Sequence, residues 1–478
     1  MRIFEVLIII ALVASIINFV FIKYKKLRIT LPILAVAACI LSLIFEGYRL
    51  QMVPAYCLSI VLLVIGIINI YSGIYKVKKV FKIVGITFLM MSLIISIAFP
   101  MLFPVINLPK PDGEYSVGTR IMAFTDKSRK GIFTNADTPR ELAVQVWYPA
   151  NVVKDKKVQP YISDSKVSAY ICKISGYPNI LNQLELDKTN SFLNTGISNK
   201  EQKYPVIVFS HGYELFSGQN TVQMEELASH GYVVFSISHT YEASSSTFPQ
   251  GKIVPFSAKQ IKIFNDDANN VAKQFKGDKT STEFEKYMIQ NSKVAEKSVH
   301  IWSDDTSFVA DEIEKLNNGE IKSIFKDKLD MSNLGLFGHS FGGATAGQAS
   351  LTDSRFKAFI NMDGTPFGDT VNNKVKQPFM ILTEGNSKNY LASGYSKDQK
   401  NYLIISINGA KHIDFTDYTV TVPALKLLSI LGTIDGSRQE KIMNDYVLSF
   451  FNKHLKGMKQ PLIDEMISKY PEVSVQSR

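Results

Sequence analysis

The chain opens with four long stretches in which nearly every position is apolar: Ile3–Ile22, Ile29–Phe45, Val53–Ile74 and Ile83–Phe103. A helix needs roughly 20 apolar residues to cross the ~30 Å hydrocarbon core of a bilayer. Four such runs in succession, parted by short basic or polar turns, predict an α-helical transmembrane region of four spans within residues 1–105. After Phe103 the pattern changes. The stretch FPVINLPKPDGEYS carries Pro104, Pro109 and Pro111 and reads as a stiff exit linker. Beyond it come shorter runs: ELAVQVWYPA, YPVIVFSHG, GYVVFSISH, LGLFGHS, FKAFINMDG, PFMILTEG and YLIISINGA. The first alternates. The others are continuously apolar and end in small or polar residues, as strands buried on both faces do. Helical patterns lie between them, such as TVQMEELASH and TSFVADEIEKLNNG, the second with Ser307 as N-cap and Gly319 as terminator. Strands alternating with helices predict an α/β domain over 106–478, a mostly parallel sheet with helices on both faces. Segments 154–203 and 260–328 fit that pattern poorly. They are expected to be surface decoration or inserts, one of which lids the mouth of a site at the strand ends.

Charge sharpens this division. The formal net charge is +10, and about nine of those charges fall before residue 111, so the α/β part is close to neutral. That distribution argues against a nucleic-acid partner, which needs basic residues gathered on a folded face. The first connection carries Lys23, Lys25, Lys26 and Arg28, and the third Lys76, Lys78, Lys79 and Lys82, whereas Glu46 and Arg49 cancel in the second. Basic connections stay in the cytoplasm, so the α/β domain is expected outside the cell membrane. The first run is long and is followed by FIKYKKLR with no small-x-small cleavage pattern, so it reads as a retained span. Cys172 is the one cysteine beyond the apolar runs, so that part must be stable through its core alone.

Chemistry enters at GLFGHSFGGA, where Gly338 to Gly342 fits G-x-S-x-G. The pattern is weak alone. Here a strand run precedes Ser340 and a small-residue helix start follows it, the sharp turn that presents a serine nucleophile. Serine needs a base to take its proton. Of 7 histidines, His211 and His339 adjoin motif glycines, His230 ends a helix, and His300 and His454 sit in helical stretches. His239 ends a strand and stays a pocket candidate. His412, in the loop GAKHIDFTDY after the last strand run, lies where the base of such a fold belongs. The acid is open between Asp363 in FINMDG and Glu384 in ILTEGN, each ending a strand. Asp414 and Asp417 read as caps of the following helix. An oxyanion would be met by the backbone N–H of Phe341 and, from the FSHGYELF loop, of Tyr213.

Together GEYSVGTR, ELAVQVWYPA, PVIVFSHG, LASHGYVVFSISH, GHSFGGAT, FINMDG, GAKHIDFTDY and NDYVLSFFNKHLKG resemble the platelet-activating-factor acetylhydrolase-like serine esterases of the α/β-hydrolase fold. The similarity spans nearly all of the α/β part and none of the apolar helices. It implies Ser340 as nucleophile, Asp363 rather than Glu384 as acid, His412 as base, and oxyanion donors at Tyr213 and Phe341. It implies no metal or cofactor. Soluble members act on phospholipids with short or oxidised acyl chains. The expectation is a membrane-held carboxylic ester hydrolase acting on a lipid or small amphiphilic ester. An acyltransferase or amidase would use the same three groups. A sensor or transporter carrying a non-catalytic binding domain is the rival of another class, and the scarcity of charge inside the spans speaks against it.

Overall fold

The computed structural model describes residues 1–71, 79–134, 136–151, 156–279, 281–385, 391–392, 394–396, 399–400, 402–466 and 468–477. Helices α1 (Ile3–Ile17, prolonged by a π-helical turn at Asn18–Ile22), α2 (Leu27–Phe45), α3 (Val53–Tyr71) and α4 (Lys79–Leu102) correspond to the four apolar runs. Each is long and apolar enough to cross a membrane. The end of the third run to Ile74, with Lys76 and Lys78, lies outside the described residues. Helix α4 is already helical at its first described residue, Lys79, four residues ahead of the predicted run. Ile8, Leu12 and Ile16 pack with Leu58 and with Ala35, Ala38 and Ala55, small residues that let the helices approach, while residues such as Ile3, Leu34 and Phe88 face outward.

One end of this bundle is tied by charge. Arg49 and Glu5 are fully buried and paired at 2.9 Å. The Arg49 guanidinium also donates to the carbonyls of Pro100, at 2.7 Å, and Phe103. Arg2 pairs with Glu5 and with Glu46. Removing one partner would leave a buried charge unpaired, which makes the junction of α1, α3 and α4 specific.

The remaining chain forms an 11-stranded sheet ordered β13-β12-β11-β10-β9-β5-β6-β2-β1-β4-β3. The strands are β1 Ser116–Lys130, β2 Pro139–Ala150, β3 Val158–Pro160, β4 Lys188–Leu193, β5 Tyr204–Ser210, β6 Val233–Ser238, β9 Leu329–His339, β10 Phe356–Met362, β11 Phe379–Glu384, β12 Tyr402–Ile407 and β13 Val473–Ser477. Between β6 and β9 a separate hairpin pairs β7 (Ser245–Thr247) with β8 (Ile253–Pro255). From β6 through β12 neighbouring strands of the large sheet are parallel. Side chains alternate between two cores, as strand geometry requires. Val206 and Val208 join one, under α9 (Lys293–Asn318) and α10 (Phe341–Thr352). Ile207 and Phe209 join the other, under α6 (Thr221–Ser229) and the helix Gly436–Lys456.

Two sequence expectations need correction here. Ser307 does not cap a helix. α9 begins at Lys293, because its buried stripe starts at Ala295 and continues through Val299 and Trp302 at helical spacing; Gly319, at φ 86°, does end it. The exit linker is tied to the sheet edge, where Lys188 and residues 106–108 exchange backbone hydrogen bonds at 2.8 and 3.1 Å. Segment 156–203 is not mere decoration, for it supplies β3 and β4 at the sheet edge and α5 (Ser165–Ile174) beside it. Residues 154–155 lie outside the described residues. Segment 260–328, apart from Thr280, contributes α7 (from Ala258 to Gln274), α8 (Thr282–Asn291) and α9.

Candidate active site

Strand β9 hands the chain to α10 through Ser340, whose φ of 54° and ψ of −122° lie where non-glycine residues are strained. The Ser340 N–H donates to Met362 O at 2.8 Å, which holds the turn against β10. The flanking glycines are needed for space. A Cβ on Gly338 would lie 2.2 Å from Gly342 C, and one on Gly342 would lie 2.0 Å from Ser210 O. The bend thus presses α10 onto the end of β5 and exposes Ser340 Oγ at the carboxyl ends of the parallel strands.

His412 arrives from the loop after β12. Its Nε2 stands 2.9 Å from Ser340 Oγ and its Nδ1 2.7 Å from Asp363 Oδ2. Asp363 follows β10 at φ 55°, which turns its carboxylate back over the sheet end. Its Oδ1 accepts from Thr383 Oγ1 at 2.7 Å and from the Glu384 N–H at 3.2 Å. Asp363, not Glu384, therefore faces the imidazole. Burial pushes the Asp363 carboxyl up, but the bonds from His412, Thr383 and the Glu384 N–H outweigh it and hold the group below the usual range. Burial pushes His412 down, and the hydrogen bond and charge of Asp363, aided by Glu384, outweigh it to leave the imidazole above 6.5.

Gly212 brings the FSHGYELF loop against the serine; a Cβ there would lie 3.4 Å from Ser340 Cβ. Among the described residues, the N–H groups of Tyr213 and Phe341 donate to no protein acceptor. The loop is clamped from behind. Fully buried Glu242 accepts from Tyr213 OH at 3.1 Å, Gln260 Nε2 at 3.0 Å, Ser298 Oγ at 2.8 Å and Trp302 Nε1 at 2.6 Å. The Tyr213 ring stacks on Phe264 with centroids 3.8 Å apart.

Sequence reasoning did not reach Gln219. Its Oε1 accepts from the Gly212 N–H at 2.8 Å and its Nε2 donates to His339 Nδ1 at 3.0 Å. An acceptor at Nδ1 puts the His339 ring proton on Nε2, which donates to His412 O at 3.0 Å. Burial, then the His412 charge, lower His339 to about 3, so it stays neutral. No local signal marks Gln219; it gains meaning only where three loops meet. His211 is likewise buried and held near 3, first by burial and then by His239. His239 is no pocket residue. It is fully buried, stacks on Trp302 at 3.8 Å and bonds Asp305 at 2.9 Å, itself paired with Arg140. Asp417 caps not the following helix but α6, accepting from the Thr221 N–H at 2.6 Å. Asp414 accepts from the N–H groups of Lys411, at 2.9 Å, and Gly432, at 2.6 Å.

A cavity of about 540 Å³ opens over Ser340 and His412. Its walls come from α5 and the turn after it, from residues 424–430 and from the end of α4. Among the described residues, segment 260–328 supplies none of its lining. A cavity of about 610 Å³ elsewhere, lined by Asp112, Glu226 and Glu440 among others, is remote from this chemistry. Among the described residues, Asp112, Glu226 and His230 form the one grouping whose ligand atoms lie within 4.8 Å of one another. Burial, then the neighbouring Asp112 side chain, lift Glu226 to about 8.

A serine hydroxyl bonded to an imidazole that is bonded to a buried carboxylate can take up an acyl group and pass it to water. Known proteins agree with that capacity. The family model described as platelet-activating factor acetylhydrolase, isoform II, matches residues 101–464. The platelet-activating factor acetylhydrolase of Canis lupus familiaris is 26% identical over 387 residues, covering 73% of this chain and 77% of the relative. That of Cavia porcellus is 27% identical over 370 residues, with 73% and 78% covered. A probable 1-alkyl-2-acetylglycerophosphocholine esterase of Arthroderma benhamiae is 23% identical, with 77% and 92% covered. A ferulic acid esterase from Streptomyces cinnamoneus superposes with a TM-score of 0.60 at 22% identity, over 78% of this chain and 100% of its own. The last is a likeness of fold, the α/β-hydrolase fold. The chain belongs to the platelet-activating factor acetylhydrolase isoform II family and is a carboxylic ester hydrolase.

Proposed function

We propose that this chain is a membrane-anchored serine esterase of lipid-like or short-acyl esters, with Ser340, His412 and Asp363 as its catalytic groups. Residues 1–105 form the anchor and 106–478 the catalytic domain, with the α5 segment as its lid. The one observation that carries the reading is the unbroken relay from Asp363 through His412 to Ser340, with spacings of 2.7 and 2.9 Å.

In this reading Ser340 Oγ attacks the ester carbonyl as His412 Nε2 takes its proton. Asp363 holds the ring and stabilises the imidazolium. The carbonyl oxygen, now negative, is met by the N–H groups of Tyr213 and Phe341, with the N-terminus of α10 behind them. Collapse expels the alcohol, which takes the proton from His412. Water then attacks the acyl-serine by the same relay and releases the acid. The names of the relatives favour an acetylated or short-acyl glycerophospholipid as substrate. Two features support an exterior catalytic domain: Lys23, Lys25, Lys26 and Arg28 lie at the turn between α1 and α2, and the junction facing the sheet lies at the opposite helix ends.

The test uses the full chain. A short-chain p-nitrophenyl ester should be hydrolysed, and Ser340→Ala should lower kcat by about 10⁴-fold or more. Unchanged turnover would sink the assignment. Fluorophosphonate labelling of whole cells, with and without external protease, reads sidedness: loss of the labelled domain on proteolysis is expected. Competing alcohols and amines distinguish hydrolysis from acyl transfer by their products.

A further inference from the structure

The wall of the cavity over Ser340 is not made by the α/β part alone. Leu102 and Phe103, at the end of α4, line it. Facing them are Ile174, Tyr177 and Leu181 from the α5 segment. Leu427 and Leu428 complete its outer rim, and they are 72% and 66% exposed. Tyr177 is 60% exposed. Exposed leucines at the mouth of a site are costly in water, and a contiguous apolar rim marks a contact with something apolar.

The rim sits at a definite height. α4 has 24 residues, and at 1.5 Å per residue it is about 36 Å long, a little more than the ~30 Å hydrocarbon core. If it spans, Leu102 and Phe103 lie at the bilayer surface, and the rim lies beside them. The wall is also pinned to the helices. Gln51, ahead of α3, donates to Ile180 O and to Gln183 Oε1, both at 2.8 Å, and the Leu50 N–H donates to Asn182 Oδ1 at 3.3 Å. Arg49 clamps the carbonyl of Phe103. The helices thus hold the mouth of the site at a fixed height and form one side of it.

We propose that the substrate is a lipid resident in the bilayer, whose hydrocarbon chain reaches the cavity laterally, through a portal between the end of α4, the turn after α5 and Leu427–Leu428. This deepens the esterase reading and rests on its membrane anchoring. The ester enters toward Ser340 while the chain slides from bilayer to cavity between apolar walls, without crossing water. The four helices are then part of the substrate site as well as its anchor.

The test reads the portal without catalysis. The full-length Ser340→Ala protein is placed in phosphatidylcholine vesicles doped with phosphatidylcholine carrying a diazirine in its acyl chain, then irradiated and mapped by mass spectrometry. Adducts are expected at 102–103, 174–181 and 424–430, and a short soluble ester should not suppress them. Adducts confined to the outward faces of α1–α4 would overturn the portal and leave the chemistry at Ser340 untouched. In a second arm, L427S/L428S, two exposed positions, should lower the ratio of vesicle-lipid to soluble-ester kcat/KM about tenfold, the scale of losing one apolar side-chain contact. An unchanged ratio would also overturn the portal. Failure of the wild-type protein to take fluorophosphonate, with the adducts in place, would strike the esterase reading alone.

Discussion

Asp363→Asn is the sharpest probe of the site, because the surroundings dictate how an asparagine must sit. Two donors converge on one carboxylate oxygen, the Thr383 hydroxyl at 2.7 Å and the Glu384 N–H at 3.2 Å. They claim the single oxygen of the amide and leave its NH₂ facing His412 Nδ1. That NH₂ can only donate, so Nδ1 becomes an acceptor and the ring proton moves to Nε2, the atom aimed at Ser340 Oγ. A protonated Nε2 cannot accept the serine proton. The wrong tautomer is worth about 10⁴ in kcat, or ~5.4 kcal/mol of transition-state stabilisation. Flipping the amide would restore the tautomer, but the Glu384 N–H would then meet an NH₂ at a buried site, at a cost of about 1–3 kcal/mol. The expected loss in kcat therefore lies between ~5-fold, where the flip costs least, and ~10⁴, with KM little changed. Steady-state hydrolysis of p-nitrophenyl acetate by the full-length protein measures it, with Glu384→Gln alongside. A loss below about threefold, or a larger loss in Glu384→Gln, would refute the reasoning.

The acid limb of kcat/KM should have its midpoint above 6.5, since His412 is raised and, as the proposed base, must be neutral to act; a midpoint at or below 6.5 in a pH profile would contradict this. The Asp363–His412 pair also links stability to pH. Asp363 is lowered, so its contribution is present above 3.8 and fades as pH falls through its folded value. His412 is raised, so its contribution is present below 6.5 and fades as pH climbs through its folded value. The Tm gap between wild type and Asp363→Asn should be widest between 3.8 and 6.5 and narrow above it, read by scanning fluorimetry across pH. Gly342→Ala sets a methyl 2.0 Å from Ser210 O and should destabilise by about 1–3 kcal/mol or abolish folding, seen as lowered Tm or lost expression. His339→Ala removes the acceptor for Gln219 and the donor to His412 O, and should lower kcat about tenfold with KM within twofold, while the acid-limb midpoint stays in place.

Much of this architecture is written in local pattern. Strands covered on both faces must be apolar throughout, so β5, β6 and β9–β12 announce themselves as continuous runs. Helices long and apolar enough to cross a membrane are unbroken apolar runs, so α1–α4 do the same. The bend at Ser340 is legible because only glycine fits where an added Cβ would lie 2.2 Å from neighbouring backbone. Pattern also misled where it was read too narrowly. The buried stripe of α9 reaches back to Ala295, and Ser307 looked like a cap only in a short window.

What no window along the chain could supply is the choice among equivalent groups. Asp363 and Glu384 end neighbouring parallel strands, and His239 ends another. The φ of 55° at Asp363 and the pairing of His239 with Asp305 separate them, and both arise from contacts between segments far apart in sequence. Gln219, joining Gly212 to His339, and Leu102, lining a cavity beside Ser340, belong to the same class. Hydrophobic periodicity reports which face of an element is buried, because burial acts on each residue where it stands. Which polar groups meet at the strand ends depends on crossovers and register, and these exist only once the sheet has assembled.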